Sequence, residues 1–388
     1  MKDKRSADAD LENIIPLLIT TWRRFRKESG PGDVLQTREF RRVVAAVTAM
    51  QQGLESGKDL IGQDYFADPE MLGSYLLYQW IIHYQQGLSL INELPTTPRR
   101  VLDVCSGPSA FAFAALKQGA SEVFSTDQNM SALEVGATVC GRYGFPLNIR
   151  RWNCQKEPLP VEGQFDLIIL GHCLEELFPS TRSNWINLQD QFVNTMLNRL
   201  TPNGYLLIVD SSLVETNRRI LQLRDGLVGR GVPVQAPCVW RGECPALKTK
   251  DSPCYAQREL VKPSLIKEIQ RASHINLSSL KMSYVIFRSP KAAWPELPAD
   301  EKLYRIISPP VDTFQGKRFY LCGTDGKKSL GSHLKEYPQE SRAFEYLRRG
   351  ELISIGEALE TTHALDIVKG TTISVKAACG KPLPENFS

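Results

Sequence analysis

Three cysteines stand in a loop that offers them no pattern for burial as hydrophobes. Between Val234 and Leu260 the chain reads V-Q-A-P-C-V-W-R-G-E-C-P-A-L-K-T-K-D-S-P-C-Y-A-Q-R-E-L, with Cys238, Cys244 and Cys254 set among Pro, Gly and charged residues. Thiols placed in this way in a reducing compartment point to ligation of a metal or an inorganic cluster rather than to core packing. The C-x5-C-x9-C spacing is neither the C-x2-C pair of zinc ribbons nor the tight C-x3-C-x2-C of radical enzymes. A closed site needs a fourth ligand. Cys322, ending a short strand in F-Y-L-C-G-T-D-G, is the first candidate, and Cys379 near the C-terminus is the second. Spacing leaves iron–sulfur and zinc both open.

A second group lies in R-V-L-D-V-C-S-G-P-S-A-F, Arg100 to Phe111. Arg100–Val104 is a short β-branched run typical of a buried parallel strand. It passes Asp103, turns through Cys105, Ser106 and Gly107, and enters a helical apolar run from Ala110 to Leu116. A strand, a small-residue turn and a helix N-terminus together make a socket for a nucleoside, because backbone amides can approach the ligand closely. Asp127, at the end of Glu122–Asp127, is placed to accept ribose hydroxyls, with Gln128, Asn153 and Gly171 at neighbouring strand ends. A dinucleotide enzyme would carry G-x-G-x-x-G directly after the first strand. Here the acid sits inside the strand, which favours S-adenosylmethionine. The methyltransferase loop is acid-x-Gly-x-Gly-x-Gly, and this chain has Asp103-Val-Cys105-Ser-Gly107-Pro-Ser109; a Cβ at Cys105 costs energy where φ is positive.

Residues for methyl transfer itself are harder to place. Amino-group methyltransferases carry a Pro-Pro-aromatic turn after the fourth strand, where this chain reads Gly171-His172-Cys173-Leu174-Glu175-Glu176. Cys173 lacks the preceding Pro of a cytosine nucleophile and reads as a small apolar residue under the sheet. His172 and Glu175 are candidate bases that serve equally well as helix caps, so no catalytic residue is assigned.

The elements that must position these groups alternate. Residues 8–95 read as helices (Leu11–Arg26, Phe40–Gly53 and Pro69–Leu94, the last with Asp68 as N-cap). Strands follow at Arg100–Val104, Glu122–Asp127, Leu147–Asn153, Phe165–Leu170 and Tyr205–Asp210, separated by helices at Ala110–Lys117, Ser131–Tyr143 and Trp185–Leu200. Ile275–Leu280 and Met282–Arg288 are expected to form a closing hairpin. The fold class is therefore α/β, with a Rossmann-like seven-stranded sheet of the class I methyltransferase type. Five further strands, Leu303–Ser308, Lys317–Cys322, Ser329–Leu334, Glu351–Ile355 and Thr371–Ala377, with a helix at Gln339–Arg349, suit a small OB-like barrel on which Phe319 or Tyr320 presents a stacking face. The expected organisation is a helical region over 1–96, the sheet domain over 97–291 with a cysteine-rich insertion at 229–260, and the barrel over 292–388.

Composition bounds the partners. The 388 residues are 42% hydrophobic and include 9 Cys, enough for a sizeable core and most simply housed in a reducing compartment. No apolar window is long enough for a membrane span, and the acid-containing N-terminus resembles neither a secretory signal nor a mitochondrial presequence. A cytoplasmic monomer is expected. The net charge is +4, yet residues 215–291 alone hold 14 Lys and Arg against 6 Asp and Glu. So concentrated a positive segment suits a phosphate backbone, its alternative being a solvated helix face. The run Arg23-Arg24-Phe25-Arg26-Lys27 is open to the same two readings.

The whole chain resembles the methyltransferase-like assembly proteins of the small ribosomal subunit, the Rsm22 type, found in mitochondria and, as cytosolic relatives, in bacteria. The matching pieces are D-Y-F-A-D-P, Y-L-L-Y-Q-W, V-L-D-V-C-S-G-P-S, T-N-R-R-I-L-Q-L-R-D-G-L, A-P-C followed by C-P-A-L and C-Y, L-K-M-S-Y-V-I-F-R, and S-P-P-V with Y-L-C-G-T-D-G. The resemblance implies S-adenosylmethionine on the Rossmann-like sheet and a 4Fe-4S cluster on Cys238, Cys244, Cys254 and Cys322. It also implies binding to small-subunit ribosomal RNA, for methylation or for assembly. Two departures stand out: Pro253-Cys254-Tyr255 replaces a usual Trp-Cys-His, and the cofactor loop has fewer glycines. The alternatives are a non-catalytic assembly factor and a zinc-containing small-molecule methyltransferase.

Overall fold

The computed structural model describes residues 2–56, 58–248, 253–314 and 316–384, so part of the 229–260 insertion lies outside the described residues. The chain forms two compact units. The first contains Met1–Ile91, Thr97–Thr201 and Glu259–Leu280; the second contains Asn92–Thr96, Pro202–Arg258 and Lys281–Ser388. No helix of the described residues is long and apolar enough to cross a membrane.

The first unit opens with α1 (Lys2–Phe25), α2 (Thr37–Gln51), α3 (Pro69–Ser74) and α4 (Trp80–Ile91). A single π-type turn at Tyr75–Gln79 interrupts the expected Pro69–Leu94 helix, and another at Gln52–Ser56 prolongs the expected Phe40–Gly53 helix. The side chain of Asp68 caps α3 by accepting from the Glu70 amide at 2.8 Å, and Pro69 takes the first helical position, where its missing N–H costs nothing. Two arginines of the basic run at the end of α1 are structural, while Arg24 and Lys27 are exposed. Buried Arg23 pairs with Glu39, and Arg26 reaches Glu28 and Glu70, so neither the RNA reading nor the solvated-face reading applies to these two arginines.

Four parallel strands follow, β1 (Arg100–Val104), β2 (Glu122–Asp127), β3 (Asn148–Arg151) and β4 (Phe165–Gly171), in the order β3-β2-β1-β4. The crossovers are α5 (Ala110–Lys117) and α6 (Met130–Tyr143); α7 (Leu174–Leu177) and α8 (Trp185–Leu197) follow β4. Helix α5, A-F-A-F-A-A-L-K, is buried from Ala110 to Leu116. Its alanines admit close helix–sheet contact, while Phe113 stacks edge-on against Trp80 and Tyr84 of α4.

In the second unit β5 (Leu200–Asp210) leads to α9 (Val214–Gly229), β6 (Val234–Ala236) and β7 (Ala256–Arg258). The chain returns to the first unit for α10 (Ser264–Ser273) and then enters β8 (Leu280–Arg288). Strand β8 pairs antiparallel with β5 on one side and β6 on the other, with β7 also on β8. The expected hairpin is absent. Ile275–Ser279 stays irregular, because β8 already has β5 and β6 as neighbours and needs no hairpin partner.

The C-terminal sheet contains all five expected strands, as β9 (Leu303–Ile306), β11 (Gly316–Gly323), β12 (Gly326–Gly331), β13 (Leu352–Gly356) and β16 (Thr372–Ala377). Three short strands add to them: β10 (Val311–Thr313), β14 (Leu359–Glu360) and β15 (Ala364–Asp366). Their order is β14-β15-β12-β11-β9-β13-β16, with β10 on β11. The expected helix shortens to a 3-10 segment, Glu340–Glu345. Phe319, Leu321, Leu330, Ile353 and Phe344 form the core beneath. Phe319 points inward and Tyr320 stands 42% exposed, as alternation along a strand requires.

Candidate cofactor sites

In the first unit the loop after β1 adopts the backbone of a glycine-rich turn without most of the glycines. Cys105, Gly107 and Ser109 have φ of 53°, 49° and 61°, the left-handed region at each position where a methyltransferase loop carries glycine. The conformation therefore survives replacement by small side chains at a steric cost borne by Cys105 and Ser109. The Ser106 amide donates to the Thr126 carbonyl at 3.0 Å and the Trp80 indole to the Pro108 carbonyl at 2.9 Å, fixing the turn from both sides.

The expected site residues differ in what they face. Asp103 is buried, and its carboxylate accepts from the Ala112 amide at 2.9 Å. Burial pushes its pKa up to about 8, and the bond to Ala112 anchors the start of α5. Asp127 accepts from the amides of Gly107 and Asn129, each at 2.9 Å. Burial raises its pKa, while these amides oppose the rise. Gln128 is exposed. Asn153 begins a turn in which its side chain accepts from Gln155 and its amide donates to Glu157. At Gly171 an added Cβ would lie 2.5 Å from the Phe111 ring.

Sequence reasoning missed the cover over this socket. Phe66 packs onto Gly107, where a Cβ would stand 2.9 Å from its ring. Tyr65 donates to Glu176, Asn129 to Asp64, and Lys58 pairs with Glu175. The D-Y-F-A-D-P segment thus touches the turns that follow β1, β2 and β4, where open parallel sheets bind ligands. Beside it Cys105 and Cys154 bring their sulfurs to 3.9 Å. His172, with φ of 54°, shares a hydrogen bond with Gln86 at 2.8 Å and stacks on His83 at 4.1 Å.

In the second unit Cys238, Cys244, Cys254 and Cys322 all line one cavity. Cys322 arrives on β11, opposite Arg305 of β9; the other three arrive on the loop between β6 and β7 and its edges. Burial pushes the Cys244 thiol up to about 11 and Cys254 up to about 12, with Cys238 adding to both. Cys322 is raised as well, by burial and then by Cys238, Cys254 and Cys244. Thiols that raise one another's pKa in this way lie within electrostatic reach of one another. Among the described residues, no three His, Cys, Asp or Glu side chains are gathered as one metal ion would require. Cys379 does not line the cavity; it sits behind Gly350, whose added Cβ would be 2.9 Å from its sulfur.

Arg224, Arg258, Arg305 and Arg349 line the same space. Arg224, Arg258 and Arg305 are buried. Part of the positive segment between 215 and 291 therefore faces the thiols instead of solvent.

The family model described as mitochondrial small ribosomal subunit Rsm22 matches residues 89–334, well over half of the chain. The chain belongs to the Rsm22 family. That match spans the loop after β1 and all four cavity cysteines. No curated protein matches the sequence. Among solved structures the chain is similar to the N-methyltransferase NodS from Bradyrhizobium japonicum WM9 with S-adenosyl-L-homocysteine, at 14% identity, 53% of this chain, 85% of that chain and a TM-score of 0.36. It is also similar to TehB from Haemophilus influenzae (12%, 53% and 62%, TM-score 0.34) and TrmN from Thermus thermophilus (16%, 53% and 48%, TM-score 0.31). At these scores the likenesses identify neither substrate nor cofactor for this Rsm22 member.

Proposed function

We propose that this chain is a methyltransferase-like protein that binds S-adenosylmethionine and a 4Fe-4S cluster and acts on the small ribosomal subunit. The observation that carries the reading is the meeting of Cys238, Cys244, Cys254 and Cys322 on one cavity from distant parts of the sequence. The residues fit such a group. Four thiols would supply the ligands, and the Nε–H groups of Arg224 and Arg258, which find no hydrogen-bond partner among the described residues, are donors left over from the pairing of these arginines with Asp225 and Glu93 and suit an anionic assembly. A cluster there would supply a cross-link between β11 and the cysteine loop and a store for an electron.

In the first unit the left-handed turn at 105–109 fits a nucleoside cofactor, and S-adenosylmethionine would bring an electrophilic methyl group. Asp127 holds the turn in register through the Gly107 amide, and Asp103 holds the following helix. The proposed partner is small-subunit ribosomal RNA, in keeping with the family's description. A surface suited to it lies on the C-terminal sheet, which we read as OB-like: β12-β11-β9-β13-β16 follows the order of such a barrel, and β15, just before β16, pairs parallel with β12. Exposed Tyr320 lies under Lys327 at 5.4 Å and exposed Phe314 under Lys335 at 5.5 Å, a combination that suits stacked bases and phosphates.

A second reading, a non-catalytic assembly factor, is favoured by the Phe66–Tyr65 cover and by an Asp127 carboxylate whose two oxygens already accept backbone amides. Mapping methylated positions in small-subunit RNA from a deletion strain, beside calorimetric titration of the purified protein with S-adenosylmethionine, separates the two. The enzyme reading expects one methyl group to disappear and the cofactor to bind. Impaired subunit maturation with every methyl group in place would leave the assembly reading alone.

A further inference from the structure

Helix α9 touches the cysteine loop along one face from Asn217 to Asp225. Asn217, Leu221, Arg224 and Asp225, at positions i, i+4, i+7 and i+8, share that face. The Asn217 side chain clasps the backbone of Cys254: its amide donates to the Cys254 carbonyl at 2.8 Å and its oxygen accepts from the Cys254 amide at 3.3 Å. A bond to Ser283 of β8 at 2.8 Å holds that amide in place. Leu221 packs with Cys244 and Ala246 in a small buried cluster that Cys254 borders. The Asp225 carboxylate accepts the Cys244 amide at 2.8 and 3.0 Å. Arg224, 2% exposed, donates to the carbonyls of Trp240 and Gly242, both between the first two cysteines, and pairs with Asp225 at 2.7 Å.

Two of the cysteines are thus gripped through their own backbone, and the turn joining the first two is gripped through its carbonyls. Arg305 completes the set from β9, donating to the Pro237 carbonyl next to Cys238 at 3.1 Å. None of these bonds involves a thiol, so all of them hold the loop independently of what the thiols ligate.

We propose that the Asn217–Arg224–Asp225 face of α9 is the positioning template for the inorganic centre: it folds the cysteine loop in advance, so that a cluster enters a prepared cage, and Arg224 turns its charge toward that cage. The proposal rests on the four-thiol reading above. It also gives the T-N-R-R-I-L-Q-L-R-D-G-L stretch a role, since Asn217, Leu221, Arg224 and Asp225 all fall inside it.

The test uses the full chain and its Asp225→Asn, Arg224→Lys and Asn217→Ala variants, purified anaerobically and reconstituted with ferrous iron and sulfide. Iron content, visible absorption and the rate of iron loss to a chelator are read beside circular dichroism and melting temperature. Hydrogen exchange at the Cys244 and Cys254 amides is followed in the iron-free parent. The expected result is parent-like secondary structure with iron lost roughly tenfold faster or more, as for other residues that orient metal ligands, and slow exchange at both amides before iron is added. Should Arg224→Lys fail to fold, Asp225→Asn carries the comparison. Variants that keep their iron as long as the parent, or fast exchange at both amides in the iron-free parent, would overturn the template. A parent that takes up no iron at all overturns the four-thiol reading and the proposal together.

Discussion

A single carboxyl group shows how far side-chain type and side-chain role can part. Asp103 sits where a nucleoside-binding acid is expected, yet it faces the Ala112 amide from a buried position, and burial pushes its pKa up to about 8. Its unfolded value is near 3.8, so between these limits the folded chain binds more protons than the unfolded one. Stability from this group is then fully present below about pH 4 and is lost as pH rises toward 8. Asp103→Asn keeps the acceptor and removes the proton. The difference in melting temperature between variant and parent should shift in the variant's favour from pH 5 to pH 8; a difference that stays constant with pH would contradict this. The sequence marked the residue but not its facing, because strand alternation cannot tell which side of a doubly covered sheet holds the ligand.

The loop after β1 was legible as a turn but not as a full glycine-type turn. Cys105 and Ser109 look like substitutions that abolish left-handed backbone, yet both adopt it, held by the Ser106–Thr126 and Trp80–Pro108 bonds. Ser109 bears a second cost, since its buried hydroxyl finds no partner among the described residues. Ser109→Gly should therefore raise unfolding free energy by about 1 kcal/mol, whereas Gly107→Ala, whose Cβ would meet the Phe66 ring, should lower it; denaturant titration of both checks the pair, and a destabilised Ser109→Gly would refute the strain argument. The strands were readable because β-branched runs announce themselves. The missing hairpin before β8 was not, since Ile275–Leu280 has strand composition but β8 finds its neighbours in β5 and β6. Likewise the cover by Tyr65 and Phe66 depends on long-range packing that no local pattern encodes.

At the scale of the chain, the cysteine spacing left the centre's identity open and the positive segment pointed to an RNA surface. The structure relates the two differently: Arg224 and Arg258 come from that segment and line the cavity that the four cysteines share. Charge counted along a sequence does not distinguish an inward from an outward cation, and here Arg224 and Arg258 are inward ones. Cys322, singled out because it ends a strand before a turn, lines that cavity, whereas Cys379 does not and lies against Gly350. The most direct measurement is metal and acid-labile sulfide analysis of anaerobically purified protein, with its visible spectrum, for the parent, Cys322→Ser and Cys379→Ser. The predicted result is a brown parent with about four irons and four sulfides per chain, bleached and less stable on replacing Cys322 and unchanged on replacing Cys379. A colourless parent carrying stoichiometric zinc, or a Cys322→Ser protein that keeps its colour, would contradict it.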